Sequence, residues 1–267
     1  MLPYDILTRI IDQLASQGNY EDLRSCSQTC QMLVHPCRVH LFSTVIVTDN
    51  AYRFADLLKR NPTIANYIQN LTYHYRRVLS EDVALLLSNV KTLVLRAQGA
   101  CEWALLSPHS QHALIHLFSS PSLTCLHIDR FEGLPAILLS ICSNLKQLKI
   151  SSCHSFSPEA CSTVAGAPPK LLSFHVTNHK NYNAIEELCT IRRPDSLPIL
   201  NLSGLRSLVV DIKTIKDEIV LGDTLRLIDN LRTLKCTHCV AISFMISLFT
   251  IPQQCFSIQF PTIWLIN

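Results

Sequence analysis

Glycine and charged residues are both scarce in this chain of 267 residues. It holds only 6 Gly, and neither G-x-G-x-x-G nor G-x-x-x-x-G-K-S/T occurs, so nucleotide binding through a glycine-rich phosphate loop is excluded. Charged residues make up 16%, against about 25% in ordinary globular proteins. With 48% hydrophobic residues the chain can bury a large core, and extended disorder is not expected. Because the net charge is only +3 and the Lys and Arg residues form no stripe, we expect no nucleic-acid partner.

Long hydrophobic runs and secretory features are also missing. The longest apolar stretch, residues 240–251, has 12 residues, whereas about 20 are needed to span a bilayer. The N-terminus has no basic region followed by an apolar segment, so no signal peptide is predicted. The 12 Cys fall below the density of a disulfide scaffold. We therefore expect a soluble protein of the cytoplasm, the nucleus or both, with reduced thiols and no membrane partner.

An apolar pattern of the form Leu-x-x-Leu-x-Leu, in which other apolar residues replace Leu, recurs along the chain. Successive instances are 22, 33, 22, 26, 34, 26 and 24 residues apart, and five of these seven steps fall within the 20–29 residues of leucine-rich repeats. One such unit can bury its apolar side chains only against its neighbours, so the series predicts stacked strands with helical segments between them, as at residues 81–87 and 134–139. The eight instances begin at Ile68, Val90, Leu123, Leu145, Leu171, Leu205, Leu231 and Cys255.

A cysteine follows the last apolar strand position by three residues in two of these instances, as Cys153 after Ile150 and as Cys239 after Cys236. There a small semi-polar group can pack under the bend and satisfy backbone groups. The series resembles the cysteine-containing class of leucine-rich repeats. That resemblance implies an α/β solenoid of about eight irregular units over residues 46–267, with a parallel sheet on the concave side. The alternative is an ordinary α/β domain with Leu-rich strands.

The residues between the apolar strand positions are mostly polar, and in a strand they point to the opposite face. Strands about 4.8 Å apart over eight units make a face roughly 35 Å long, which suits a protein or peptide partner better than a small metabolite. The alternative is that these side chains are only solvated. The candidate partner-binding residues are Arg96, His127, Asp129, Lys149, His175, Asp211 and Lys235.

Residues 2–42 have apolar positions at helical spacing and predict three short helices. The first opens at Pro3 and stops at Gly18, the second is capped by Asn19, and the third starts at Pro36. Such wide apolar stripes in about 40 residues cannot all be buried within the bundle. The surplus apolar surface predicts a partner.

The N-terminal pattern Leu-Pro-x-Asp-Ile-Leu, with Leu23-x-x-Cys26-x-x-x-Cys30 after it, resembles the F-box of fungal F-box proteins that continue into leucine-rich repeats. The resemblance implies an F-box-like domain over residues 1–45 in a substrate receptor of an SCF-type ubiquitin ligase. There the F-box binds the Skp adaptor, which joins it to a cullin scaffold, and the repeats hold the protein that is marked for degradation. By position, the residues of the adaptor face or of the bundle core are Leu2, Pro3, Ile6, Leu7, Leu23, Cys26 and Cys30; the sequence leaves these two roles open.

Both ends of the chain depart from the family pattern. The residues that usually precede Leu-Pro are missing, which predicts fewer adaptor contacts. From residue 242 onward the chain is apolar and lacks a polar capping unit, which a solenoid needs for solubility. Truncation or alteration of this end is the expectation that follows.

Metal and catalytic sites are disfavoured by the spacing of the candidate ligands. Structural zinc sites usually have pairs of cysteines brought together by turns, whereas the cysteines of residues 26–37 lie on the apolar side of predicted helices. In Cys236-x-His238-Cys239 both cysteines fall on positions of the repeat pattern. His109, His112 and His116 share one face of a predicted helix, where solvation is the simpler explanation. Neither H-E-x-x-H nor G-x-S-x-G occurs, although distant Cys and His residues leave a hydrolase open. We expect no enzymatic activity, no cofactor and no metal. The main alternative is a leucine-rich-repeat scaffold unrelated to ubiquitination.

Overall fold

The structure, a computed structural model, describes residues 3–48, 51–75, 80–153, 155–158, 166–177, 184–237 and 257–259. Three predictions therefore lie outside the described residues: the adaptor role of Leu2, the cysteine motif at Cys239, and the apolar tail from residue 242 apart from residues 257–259. None of the helices in the described ranges is both long and apolar enough to cross a membrane.

Three helices open the described chain: α1 (Tyr4–Ser16), α2 (Tyr20–Thr29) and α3 (Gln31–Ser43). Pro3 precedes the first turn of α1. Gly18, in the turn between α1 and α2, has a φ of 75°, which glycine adopts without strain. Asn19 is the N-cap of α2 as predicted, but its side chain makes no capping hydrogen bond.

The predicted start of the third helix at Pro36 is wrong. The helix α3 begins five residues earlier, at Gln31, and Pro36 lies buried in its second turn. A proline at this depth removes one backbone hydrogen bond, the one to the carbonyl of Met32. The neighbouring Cys37 is fully buried, so packing of this turn against the other helices offsets that loss.

The rest of the fold is α/β, with a nine-stranded sheet in which every neighbouring pair is parallel. The strands follow one another across the sheet in chain order, and the two edge strands do not pair to close a barrel within the described residues. The strands are β1 (Thr44–Val47), β2 (Asn70–Tyr75), β3 (Thr92–Glu102), β4 (Cys125–Glu132), β6 (Gln147–Ser151), β8 (Ser173–Thr177), β9 (Ser207–Asp211), β10 (Thr233–Thr237) and β11 (Ser257–Gln259).

Shorter elements connect these strands. A second, two-stranded sheet pairs β5 (Leu134–Pro135) with β7 (Phe156–Ser157). The segment at residues 134–139 is therefore only partly helical, whereas the helix predicted at 81–87 is confirmed. The helices are α4 (Ala51–Arg60), α5 (Glu81–Leu86), α6 (Pro108–Ser119), α7 (Ile137–Ser140), α8 (Ala184–Thr190) and α9 (Ile215–Leu225), with 3₁₀ turns at Pro62–Tyr67 and Trp103–Leu105.

The apolar positions of the recurring pattern coincide in register, which builds one continuous core. Leu93 pairs with Leu126, which pairs with Leu148, and all three side chains are buried. A second line two residues further on runs through Ile128 and Ile150 in the same way. Buried side chains of α5, α6, α8 and α9 belong to the same cluster, so the helices cover this face of the sheet and leave the other face open.

The edge strand β1 is not among the strands expected from the sequence. It follows α3 without a loop, since α3 ends at Ser43 and β1 begins at Thr44. Phe42, Val45 and Val47 pack against the sheet core in the same apolar pattern as the other strands, 26 residues before the instance at Ile68. The predicted domain boundary at residue 45 lies inside this strand.

Candidate functional site

The open face of the sheet, which we call the strand face, consists of the outward side chains of β2–β10. Three successive outward positions on each strand form rows across the sheet, because the strands pair in register. The middle position forms what we call the central row. In the order β3 to β10 it contains Val94, His127, Lys149, His175, Val209 and Lys235, none of which is buried.

Two histidines and two lysines occur in the central row, with Lys149 between the histidines. Partial burial, and then the charges of Lys149, Arg96 and His175, lower the pKa of His127 to about 4. Partial burial, Lys149 and Lys235 lower the pKa of His175. His127 is therefore a neutral hydrogen-bonding group near neutral pH, and its Nε2 lies 3.3 Å from Ser151 Oγ.

The two lysines of the central row are free to bind an anion. Neither Lys149 nor Lys235 takes part in an ion pair within the described residues. Lys235 is exposed and Lys149 half-buried. Each ammonium group lies near a histidine whose pKa is lowered, so protonation of either histidine would add to the positive charge of this row. An anionic partner would reduce the repulsion between these positive charges.

The two acidic candidates, Asp129 within β4 and Asp211 at the carboxyl end of β9, are already paired. Asp129 Oδ2 lies 3.3 Å from Arg96 Nε, an ion pair whose geometry does not make a hydrogen bond. Asp211 Oδ2 lies 3.0 Å from Lys213 Nζ, and its Oδ1 accepts a hydrogen bond from Thr237 Oγ1. The Asp211 side chain is only 6% exposed, so the structure places it as a buried ion-pair residue and not as an open contact.

The residue just before each strand forms a further row that the sequence analysis missed. Lys91, Lys146, Arg206 and Arg232 precede β3, β6, β9 and β10, and all four are exposed. Each follows the first apolar residue of its repeat. A recurring Lys or Arg at the second position of the pattern could therefore have predicted this row from the sequence. The prediction that basic residues form no stripe is wrong in this respect, because residues scattered along the chain are aligned by the parallel register.

A second candidate surface is the outer side of α1. Tyr4, Ile6 and Ile10 are 48%, 41% and 46% exposed, and Ile6 and Ile10 lie one turn apart on the same side of the helix. Pro3 is exposed and Leu7 half-buried. Surplus apolar surface on the N-terminal helices is therefore present, as predicted.

The remaining N-terminal residues, whose roles the sequence left open, differ in their burial. Leu23 is fully buried between the helices, with Ile11 and Cys37, and belongs to the bundle core. Cys26 packs on this core and is half-buried. Cys30 is exposed in extended backbone between α2 and α3 instead of continuing the stripe of α2.

Cys153 occupies the place that the repeat pattern predicts for it. Its Sγ lies within hydrogen-bonding distance of the carbonyl oxygens of Ile128 (3.9 Å) and Ser151 (3.6 Å). Burial raises the pKa of this thiol to about 11, so it remains protonated and can donate. Cys153 is thus a structural residue beneath the turn after β6.

Within the described residues, no three His, Cys, Asp or Glu side chains lie close enough together to hold a metal ion. His109, His112 and His116 do lie on one helix, α6, and His109 Nδ1 is 4.0 Å from Glu81 Oε2.

No family model matches this chain, and a comparison with curated proteins gives no match.

Proposed function

We propose that this chain is the substrate-recognition adaptor of an SCF-type ubiquitin ligase. In this proposal α1–α3 form an F-box that binds the Skp adaptor, which recruits the cullin scaffold. The strands from β1 onward form a leucine-rich-repeat solenoid whose strand face binds the protein to be ubiquitinated. The chain itself carries out no chemistry; it holds two partners at a fixed separation.

The observation that carries the proposal is the apolar side of α1. Tyr4, Ile6 and Ile10 remain in contact with water although the helices have a core of their own around Ile11 and Leu23. Full burial of a large apolar side chain against a partner contributes about 1.5–3 kcal/mol, an upper bound for side chains that are already half-covered. Three such side chains on one short helix favour a helical partner that covers them.

The repeat architecture supports the second half of the proposal. The strands of the nine-stranded sheet lie in chain order, and equivalent apolar residues stack from one unit to the next. This order of strands supports the solenoid proposal, because in a solenoid each unit packs on its neighbours and one face stays open along the array. Cys153 under the turn after β6 fits the cysteine-containing repeat class.

The first prediction tests binding of the adaptor. Ile6→Asp and Ile10→Asp introduce a charge at exposed positions of α1, so the fold should be retained while an apolar interface is lost. We expect a pull-down with a purified Skp adaptor to lose at least about tenfold in affinity, since a buried unpaired charge costs more than about 1.4 kcal/mol. Ile219→Asp is the matched control, because Ile219 is 62% exposed on α9.

Two outcomes would contradict the ligase assignment: no binding of the Skp adaptor by the wild-type chain, or equal losses with Ile10→Asp and Ile219→Asp. Either result would favour the alternative of a leucine-rich-repeat scaffold whose helices dock on a different protein. Circular dichroism of each variant establishes that the substitution has not unfolded the helices.

A further inference from the structure

Four basic residues lie in a line at the amino ends of the strands. We call Lys91, Lys146, Arg206 and Arg232 the basic row. Their alignment is fixed by the backbone: Lys91 O accepts a hydrogen bond from Cys125 N, Lys146 O from Ser173 N, and Arg206 O from Thr233 N. Thr124 and Leu172 occupy the intervening places, just before β4 and β8.

The spacing of the basic row follows from sheet geometry. Neighbouring strands lie about 4.8 Å apart, so a cation on every second strand recurs about every 10 Å. Lys91, Lys146 and Arg206 are separated in this way, and Arg232 is one strand beyond Arg206. From β3 to β10 the row spans about 24 Å.

The positive charge of the basic row is not neutralised within the chain. None of its four residues forms an ion pair in the described part of the structure. In the described residues of the loops that lead into these strands, Arg193 pairs with Asp195 and Arg226 with Asp223 of α9. The other charged residues there are the bases Lys170 and Arg192 and the acid Asp229.

Charge is therefore segregated along the strands. Lys149 and Lys235 of the central row lie three residues beyond Lys146 and Arg232, and they too are unpaired. The acids of the strand face, Asp129 and Asp211, occupy the outward position furthest from the basic row and are held by their own cations.

We propose that the strand face binds an extended, carboxylate-rich segment of a partner protein, which crosses the strands along the basic row. The inference rests on the proposed function in taking the strand face as the surface that binds the target. An extended chain advances about 3.3 Å per residue, so an acidic side chain at every third position recurs about every 10 Å, the period of the cations.

The same geometry disfavours the two other anionic partners. A phosphorylated side chain needs several donors that converge on one dianion, as in an arginine cluster, whereas these cations are spread along a line. Single-stranded nucleic acid stacks its bases on aromatic side chains. None of the outward positions of the three rows on β2–β10 within the described residues is Phe, Tyr or Trp.

The second prediction tests this inference with the full chain and a fluorescein-labelled peptide of five Glu-Ser-Ser repeats, about 50 Å long when extended. We expect fluorescence anisotropy to show binding at least about tenfold tighter than that of the Gln-Ser-Ser counterpart, and weaker binding as NaCl rises from about 50 to about 300 mM. Arg206→Glu combined with Arg232→Glu should reduce the affinity about tenfold or more.

The matched control is Arg24→Glu compared with Arg206→Glu alone. Arg24 is exposed on α2, away from the strands, and its reversal should change the affinity for the acidic peptide less than twofold, against about fivefold for Arg206→Glu. Three results would overturn the inference: equal affinities for the two peptides, equal effects of the two single reversals, or tighter binding of a singly phosphorylated peptide or of an oligothymidylate.

The Skp pull-down separates this inference from the proposed function. The double reversal should leave binding of the Skp adaptor unchanged, since both substitutions lie at the amino ends of β9 and β10 and not on the N-terminal helices. Peptide binding without Skp binding would leave the acidic-segment inference standing and defeat the ligase assignment. Skp binding without peptide binding would leave the ligase assignment standing and defeat the acidic-segment inference.

Discussion

At the scale of single residues, His127 shows how the strand face responds to charge. It lies on β4 between cations of the two neighbouring strands, Arg96 on β3 and Lys149 on β6, with His175 one strand further on. Asp129, two residues along β4, is held by Arg96. Partial burial disfavours the charged form of His127, and protonation would also add positive charge to a region that is already positive; together these lower its pKa to about 4.

The third prediction concerns the pH dependence of stability. Between about pH 6.5 and 4 the unfolded chain binds a proton at position 127 that the folded chain does not, so folding stability falls as the pH drops through this range. We expect the free energy of unfolding in urea to fall by about 1 kcal/mol more in wild type than in His127→Gln between about pH 7.5 and 5, after discounting for solvent screening of a half-exposed ring.

His112→Gln is the control for this prediction. His112 is exposed on α6, and its replacement should leave the pH dependence of wild type intact. If His127→Gln and His112→Gln give the same urea midpoints at both pH values, His127 is not the group that couples folding to pH.

Residue roles were only partly predictable from the sequence. Helical spacing places Ile6 and Leu23 alike on apolar stripes, but only the packing of α2 and α3 decides that Leu23 is buried and Ile6 is not. Strand alternation points Asp211 outward, yet Lys213 and Thr237 from nearby positions cover it. Both outcomes depend on neighbours that are distant in the chain or follow a turn.

At the scale of elements, periodicity predicted the strands well and the boundaries poorly. Each of the eight instances of the apolar pattern corresponds to a strand, from β2 to β11. β1 was missed because Phe42 also fits the helical stripe of the preceding segment, so the same residue satisfied two patterns. The basic row was missed because its members are 26 to 60 residues apart in the chain and meet only through the register.

The fourth prediction concerns the start of α9. Thr214 Oγ1 accepts a hydrogen bond from Asp217 N at 3.2 Å, and Asp217 Oδ2 accepts one from Thr214 N at 2.9 Å, which together form a capping box. Thr214→Ala should lower the free energy of unfolding by about 1 kcal/mol, measured by urea denaturation. Asn19→Ala is the control, because the N-cap of α2 makes no side-chain capping bond and should lose a few tenths of a kcal/mol at most. Equal losses at the two caps would show that the box does not stabilise α9.

At the scale of the whole molecule, the described residues have two separate apolar cores. Ile11, Leu23 and Cys37 form the core of the helices, and the sheet and its covering helices share a larger one. Contact between the two units includes a hydrogen bond of 2.9 Å between His35 Nδ1 and Tyr67 Oη. We therefore expect the helices to open without the sheet.

The fifth prediction tests this independence by hydrogen–deuterium exchange. Leu23→Ala removes a fully buried side chain at a cost of about 2–5 kcal/mol, so amides of α1–α3 should exchange at least about tenfold faster. Amides of β4 and β6 should keep their wild-type rates. The reciprocal variant, Ile128→Ala, should speed exchange in β4. Equal acceleration of α2 and β4 by Leu23→Ala would mean that the two cores unfold as one unit.

The junction at Ser43 and Thr44 has a mechanical consequence. The last turn of α3 passes directly into an edge strand of the sheet, so no linker residue separates the N-terminal helices from the sheet. A partner bound to α1 would therefore stay close to a partner bound across the strands, because no flexible linker separates the two binding surfaces.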